Sequence, residues 1–132
     1  GHVVLVGHGS VGRRVARGLA ADPRGFVLIE DRADIPAGAE GDGIQVVRGH
    51  AADGRVLEVA DIADADTLVI TIPAGFQGGA IAEKARAPNP DIRIIARAHS
   101  DAESAHLSSH GVAQVVLGEA EIATTMLARL RR

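Results

Sequence analysis

The stretch His2-Val3-Val4-Leu5-Val6-Gly7-His8-Gly9-Ser10-Val11-Gly12 decides the fold, because an apolar run opens directly into Gly-x-Gly-x-x-Gly and then into a helical pattern. Each glycine has a physical task. Gly7 makes the tight strand-to-helix turn, Gly9 lets the backbone approach a phosphate, and Gly12 lets helix and strand pack closely. The phosphate then meets a helix N-terminus, where unpaired N–H groups and the helix dipole favour an anion by about 0.3–1 kcal/mol. Val11, Val15 and Leu19, with Arg13, Arg14 and Arg17 between them, supply the helix.

The next apolar run, Phe26-Val27-Leu28-Ile29, is closed by Glu30-Asp31, and Glu30 lies eighteen residues after Gly12. At that distance the acid is expected at a strand end, accepting hydrogen bonds from ribose hydroxyls. The acidic pair disfavours a 2′-phosphate, so NAD or an adenosine nucleotide is expected over NADP. Arg32 is the opposing signal, since an arginine just beyond the second strand can accept that phosphate. His8 reads as a spacer with an exposed imidazole inside the loop. Ser10 is not a nucleophile elbow, because G-x-S-x-G requires glycine where His8 stands.

At 132 residues the chain is one domain, large enough for a two-sided core. A net charge of −3 gives no reason to expect nucleic acid. The absence of cysteine excludes disulfides, thiolate chemistry and cysteine-held zinc, and it suits a reducing cytoplasm. No apolar run approaches the length of a membrane span. The start at Gly1, with a strand almost at once, predicts a piece cut from a longer protein.

Short apolar runs alternate with helix-like segments along the whole chain. After the first two come Ile44-Gln45-Val46-Val47, Leu68-Val69-Ile70-Thr71-Ile72, Ile92-Arg93-Ile94-Ile95-Ala96 and Gln114-Val115-Val116-Leu117. Most are continuous rather than alternating, as strands buried on both faces require. The expected fold is therefore α/β: a Rossmann-type, doubly wound, six-stranded parallel sheet in the order 3-2-1-4-5-6, with helices on both faces. Its ligand crevice lies at the carboxyl ends of strands one and four. Pro36, Gly38 and Gly41 make the segment between Arg32 and Asp42 the weakest helix. Asp53 and either Ser100 or Asp101 are expected N-caps, and Pro88-Asn89-Pro90 stops a helix running from Gln77 to Arg86. A last helix from about Glu119 to Leu130 carries an apolar stripe of Ile122, Ala123, Met126, Leu127 and Leu130, to be buried on the sheet or on a second subunit.

His106 and His110, four residues apart, share a helix face, but they lack the glutamate of HExxH and an evident third ligand, so no metal site is expected. His110 instead reads as a donor to the last carbonyls before Gly111. Arg129, Arg131 and Arg132 read as a basic helix end. Two functional classes then compete: the cofactor domain of an NAD-dependent dehydrogenase without its substrate domain, and a regulator that binds nucleotide and transmits a conformational bias. Hydride transfer needs a proton donor or base beside the nicotinamide. With no tyrosine or cysteine, the choices are Lys84 or a histidine, none in a known catalytic context, so no catalytic residue is assigned and a non-enzymatic regulator is expected.

The chain resembles regulator-of-potassium-conductance N-terminal domains, also called TrkA-N domains, and especially the cytosolic domains of Kef-type monovalent cation:proton antiporters. The resemblance runs through Val4-Leu5-Val6-Gly7-His8-Gly9-Ser10-Val11-Gly12, Val27-Leu28-Ile29-Glu30, Val47-Arg48-Gly49-His50-Ala51-Ala52, Thr71-Ile72-Pro73, Asn89-Pro90-Asp91-Ile92, Ile94-Ile95-Ala96-Arg97-Ala98-His99, and Gly118-Glu119 through Met126-Leu127. It implies one domain over 1–132 on the cytoplasmic side of a membrane transporter. Such a domain binds NAD(H) or an adenine nucleotide such as AMP or ATP, biases a linked potassium or cation transport domain, and pairs as a homodimer through its last helix and nearby surfaces. By the same resemblance Gly7, Gly9, Ser10, Val11 and Gly12, with His8 among them, hold phosphate, and Glu30 and Asp31 lie at the ribose. Gly49, His50 and Ala51 flank the adenine, with His50 standing where the family usually has Asp or Asn. Thr71 belongs to the fourth-strand loop. Arg97 is the arginine of the family's Ala-Arg segment near the cleft, which in some antiporters helps hold a second regulatory ligand.

Overall fold

All four residues of strand β1 (Val3–Val6) are buried, so this strand needs a neighbour on each edge and a layer on each face. It has both edges filled: β1 pairs in parallel with β2 (Phe26–Glu30) and with β4 (Thr67–Ile70). The structure is a computed structural model and describes residues 1–31, 44–72 and 76–132. With β3 (Gln45–Arg48), β5 (Arg93–Ala98) and β6 (Gln114–Leu117) it forms one six-stranded parallel sheet in the order β3-β2-β1-β4-β5-β6. That is the expected order. Helix α1 (Ser10–Leu19) follows β1, α2 (Gly54–Val59) and a 3-10 turn (Ile62–Asp64) follow β3, α3 (Gln77–Arg86) follows β4, α4 (Asp101–Ser109) follows β5 and α5 (Gly118–Leu130) follows β6.

The two faces of the sheet are covered unequally. On one face Val4, Val6, Val27, Ile29, Leu68, Ile70 and Ile94 pack with Leu57 of α2, Ile81, Ala82 and Ala85 of α3, and Leu107 of α4. Each fully buried large apolar side chain there stabilises the fold by about 1.5–3 kcal/mol. On the other face Leu5, Leu28 and Val46 pack with Val15, Ala16 and Leu19 of α1. The amphipathic spacing of α1 is what places those three residues on one side. The segment expected to form the weakest helix lies outside the described residues.

Local signals set most of the helix ends. Asp53 caps α2, accepting from Arg55 N–H, and Ser100 caps α4, accepting from Glu103 N–H. Glu103 reaches back past the cap, its Oε2 accepting from His99 N–H at 3.0 Å, a variant of the capping box in which the residue before the N-cap is the donor. Beyond α3, the Asn89 amide donates to the carbonyls of Ile62 and Ala65 at 3.0 and 2.9 Å, tying the helix stop to the approach into β4. Strand ends shift slightly from expectation: β2 extends to Glu30, β5 runs from Arg93 to Ala98, and β4 stops at Ile70, leaving Thr71 and Ile72 in the loop. Of the two surfaces expected to bury the stripe of the last helix, the sheet does not, because the helix leaves the sheet edge at Gly118 and none of its residues is buried. No helix among the described residues is long and apolar enough to cross a membrane.

Candidate functional site

The carboxyl ends of β1, β2 and β4 fall side by side because Val6 pairs with both Ile29 and Ile70. The backbone ladder continues past the strands: Gly7 N–H donates to Ile29 O at 3.0 Å, Thr71 N–H to Val6 O at 3.0 Å and Gly49 N–H to Glu30 O at 3.1 Å. Three loops are thereby zipped into one floor at the point where the strand order reverses. A ligand crevice is expected at that switch point.

The glycine loop is packed as its spacing demands. Gly7 has φ +102°, in the left-handed region, and a Cβ there would lie 2.6 Å from Ile72 Cγ2 and 2.7 Å from Thr71 Oγ1. At Gly12 a Cβ would run into the backbone carbonyl of Gly7 and lie 2.9 Å from Thr71 Oγ1. Gly9 is different, with nothing within 4 Å of its Cβ position. It is the N-cap of α1, no side chain caps it, and no acidic residue sits in the first turn. The first-turn N–H groups have no carbonyl partner within the helix, an arrangement suited to an anion. Gly9 and Ser10 are exposed and Val11 is half-buried.

Glu30 is 6% exposed at the end of β2, and its Oε2 accepts from the backbone N–H of His8 at 2.6 Å. The acid thus braces the phosphate loop. A carboxylate has about four acceptor positions, so this anchoring is compatible with a further role toward ribose. His8 is not the exposed spacer expected from sequence. It is half-buried, and its Nδ1 is shielded from solvent without a hydrogen-bond partner among the described residues. The bond from its backbone N–H to Glu30 ties this residue to the end of β2.

Glu30, Asp31, Gly49, His50 and Ala51 line one cleft with Val6, Gly7, Ile29 and Ile72. The structure thus brings together the acidic pair, the first loop glycine and the segment after β3. Val6, Ile29 and Ile72 were not assigned to the site from sequence. Their signal was their place as the last apolar residues at strand ends, where open α/β sheets bind ligands. Ala51 is buried, and His50 is half-buried with its Nδ1 accepting from Ala52 N–H at 3.0 Å.

Two expected site residues support the cleft from outside its lining. Thr71 is buried, and its hydroxyl donates to Val6 O at 2.7 Å, stapling the β4 loop to β1. Arg97 is half-buried on β5 and donates to Thr71 O at 3.3 Å, so it holds the same loop from the other side. Arg32 lies outside the described residues. Elsewhere, His106 and His110 come together with ring centroids 4.3 Å apart. His106 Nε2 meets Phe76 O at 2.9 Å, and His110 Nδ1 meets His106 O at 2.9 Å, the C-terminal contact expected of His110. Among the described residues no three His, Asp or Glu side chains form a cluster that could hold a metal.

The sequence model of the TrkA-N domain family matches residues 3–118. The putative cation/proton antiporter YbaL of Escherichia coli strain K12 is 43% identical over 126 residues, covering 96% of this chain and 23% of that protein. The chain therefore spans less than a quarter of that relative. The crystal structure of the TrkA-N domain of the E. coli inner membrane protein YbaL has a TM-score of 0.92 at 43% identity, covering 98% of this chain and 96% of that one. The Shewanella denitrificans Kef CTD in its AMP-bound form has a TM-score of 0.83 at 26% identity, with 96% and 76% covered. The GsuK channel bound to NAD has a TM-score of 0.76 at 25% identity, with 88% and 21% covered. The glycine loop, the strand order and these matches agree, and the chain belongs to the TrkA-N domain family.

Proposed function

We propose that this chain is the cytosolic nucleotide-sensing domain of a monovalent cation:proton antiporter or related potassium transport system, binding NAD(H) or an adenine nucleotide in the cleft beside Glu30. One observation carries the reading: an uncapped helix N-terminus and an acidic strand end are joined by the 2.6 Å bond from His8 N–H to Glu30. Phosphate goes to the first and ribose to the second. The AMP and NAD named with the Kef and GsuK structures support the same ligand class. Glu30 and Asp31 oppose a 2′-phosphate, which favours NAD over NADP.

The regulatory reading is preferred to a dehydrogenase. Lys84 lies on the exposed side of α3 outside the cleft lining, and His8 and His50 belong to the phosphate loop and to the segment after β3, the ends of the proposed site that hold phosphate and adenine rather than a nicotinamide. Bound nucleotide would bias the relation of α1 to the β4 loop, which Thr71 and Arg97 tie to the cleft floor. Pro73, Ala74 and Gly75 of that loop lie outside the described residues. A coupling of about 1–3 kcal/mol suffices for allosteric control. The transport domain would lie across a membrane, with this chain on the cytoplasmic side. A second copy would cover the apolar stripe of α5, where Ile122, Met126 and Leu130 are 61%, 67% and 79% exposed.

Titration calorimetry with NAD(H), NADP(H), AMP and ATP tests the site. Saturable binding of at least one nucleotide without a 2′-phosphate is expected, weakened by roughly tenfold or more in Glu30→Ala. No saturable binding by any of them, or equal binding in the variant, rejects the assignment.

A further inference from the structure

The turn after β3 fixes the chemistry of one cleft side chain. Asp53 N–H donates to His50 O at 2.9 Å, and Ala52 N–H donates to His50 Nδ1 at 3.0 Å. A ring nitrogen that accepts an N–H carries no hydrogen, so the neutral imidazole must hold its hydrogen on Nε2. At Nε2 the ring can then only donate.

Position within the cleft decides what receives that donor. Phosphate belongs at the N-terminus of α1 and ribose at Glu30, and β3 flanks β2 on the side away from β1. The residues that follow β3 therefore flank the base. Half-buried Ile72 offers apolar surface to a flat face of a purine, with buried Ile29 and Ala51 behind it, and His50 lines the same cleft with an Nε2–H to give to the base edge.

We propose that His50 is a specificity-determining residue whose fixed Nε2–H donates to a ring nitrogen of the bound adenine, so that the site reads a base acceptor rather than the exocyclic amino group. The inference rests on the nucleotide reading and adds to it which edge of the base is recognised, and by what. An asparagine at this position would keep an oxygen near Nδ1 for Ala52 N–H but would end short of Nε2. It therefore removes the donor while leaving the turn.

The test uses AMP and its 1-deaza, 3-deaza and 7-deaza analogues, each lacking one ring acceptor, titrated into the unaltered chain, His50→Asn and His50→Ala. The unaltered chain should bind one analogue about tenfold more weakly than AMP, the scale of one lost hydrogen bond. His50→Asn should lose about tenfold in AMP affinity, keep its melting temperature, and bind that analogue as well as AMP. His50→Ala should lose both the discrimination and the turn. The proposal is overturned if the unaltered chain binds all three analogues as it binds AMP, or if His50→Asn discriminates as the unaltered chain does. In that event, AMP binding that is still weakened by Glu30→Ala leaves the nucleotide reading standing. If no nucleotide binds the unaltered chain, both fall together.

Discussion

The glycine loop and the last helix are both strongly patterned in the sequence, yet the fold treats them in opposite ways. Around Gly7 and Gly12 there is no room for one more carbon, and Thr71, Glu30 and Ile29 each hold the loop by a hydrogen bond. Helix α5 has no buried residue along its length, and its apolar stripe meets solvent. The contrast separates a feature completed within the chain from one that needs a second surface. A site whose donors are already held in place loses little on binding a ligand. A stripe of exposed Ile, Met and Leu gains only when something covers it.

The sharpest way to break the contrast is to add single methyl groups to the loop. Gly12→Ala should cost on the order of 3 kcal/mol in a denaturant melt, because the neighbour it meets is backbone and cannot rotate away. Gly9→Ala should stay within about 0.5 kcal/mol of the parent, since its φ is −80° and its Cβ position is open. It should nevertheless weaken nucleotide binding, because the new methyl stands where phosphate must approach. Equal stability losses in the two variants would mean that Gly12 is not packed against the Gly7 carbonyl.

The second region should respond in the reverse sense. Ile122→Glu with Met126→Glu should leave the monomer's unfolding free energy within about 1 kcal/mol, since neither side chain is buried by the chain itself. Any dimer seen by sedimentation in the parent should disappear. A monomer destabilised well beyond that figure would show that the stripe packs on its own sheet.

The smallest effect is expected at the far end of the sheet. Side-chain hydrogen bonding from Arg24 holds the Asp22 carboxyl well below the usual carboxylate range, at about 2. The Thr67 hydroxyl, and then Arg24, lower that of Asp66. A depressed folded-state value gives a contribution that is present above the ordinary aspartate range and is lost as pH falls through about 2. Arg24→Ala should therefore lower stability slightly at neutral pH and leave it unchanged once both carboxyls are protonated, so that the acid limb becomes shallower by the same small amount, because these groups are screened by solvent. An unchanged acid limb would contradict that origin.

Much of the architecture was legible because strand and helix signals are local. Continuous apolar runs, the caps at Asp53 and Ser100, and the stop at Pro88-Asn89-Pro90 all act through neighbours in sequence. The packing roles of Gly7 and Gly12 were legible for the same reason, each following from its distance to the strand end. What escaped depends on how separate segments meet. His8 was read as exposed because nothing nearby shows that the end of β2 reaches under the loop and captures its N–H. Thr71 and Arg97 were named for the site without the contact that makes them braces for the loop. The last helix presented its stripe plainly, but no pattern within a stripe says which surface will cover it.

The most direct test is a nucleotide titration of the chain followed through its backbone amide resonances. Saturable shifts are expected for AMP or NAD at Gly7, Gly9, Ser10, Val11, Gly12, Glu30 and Gly49 to Ala51, with the amides from Ile122 to Leu130 unmoved. Shifts absent from the loop, or confined to the last helix, would contradict the nucleotide site.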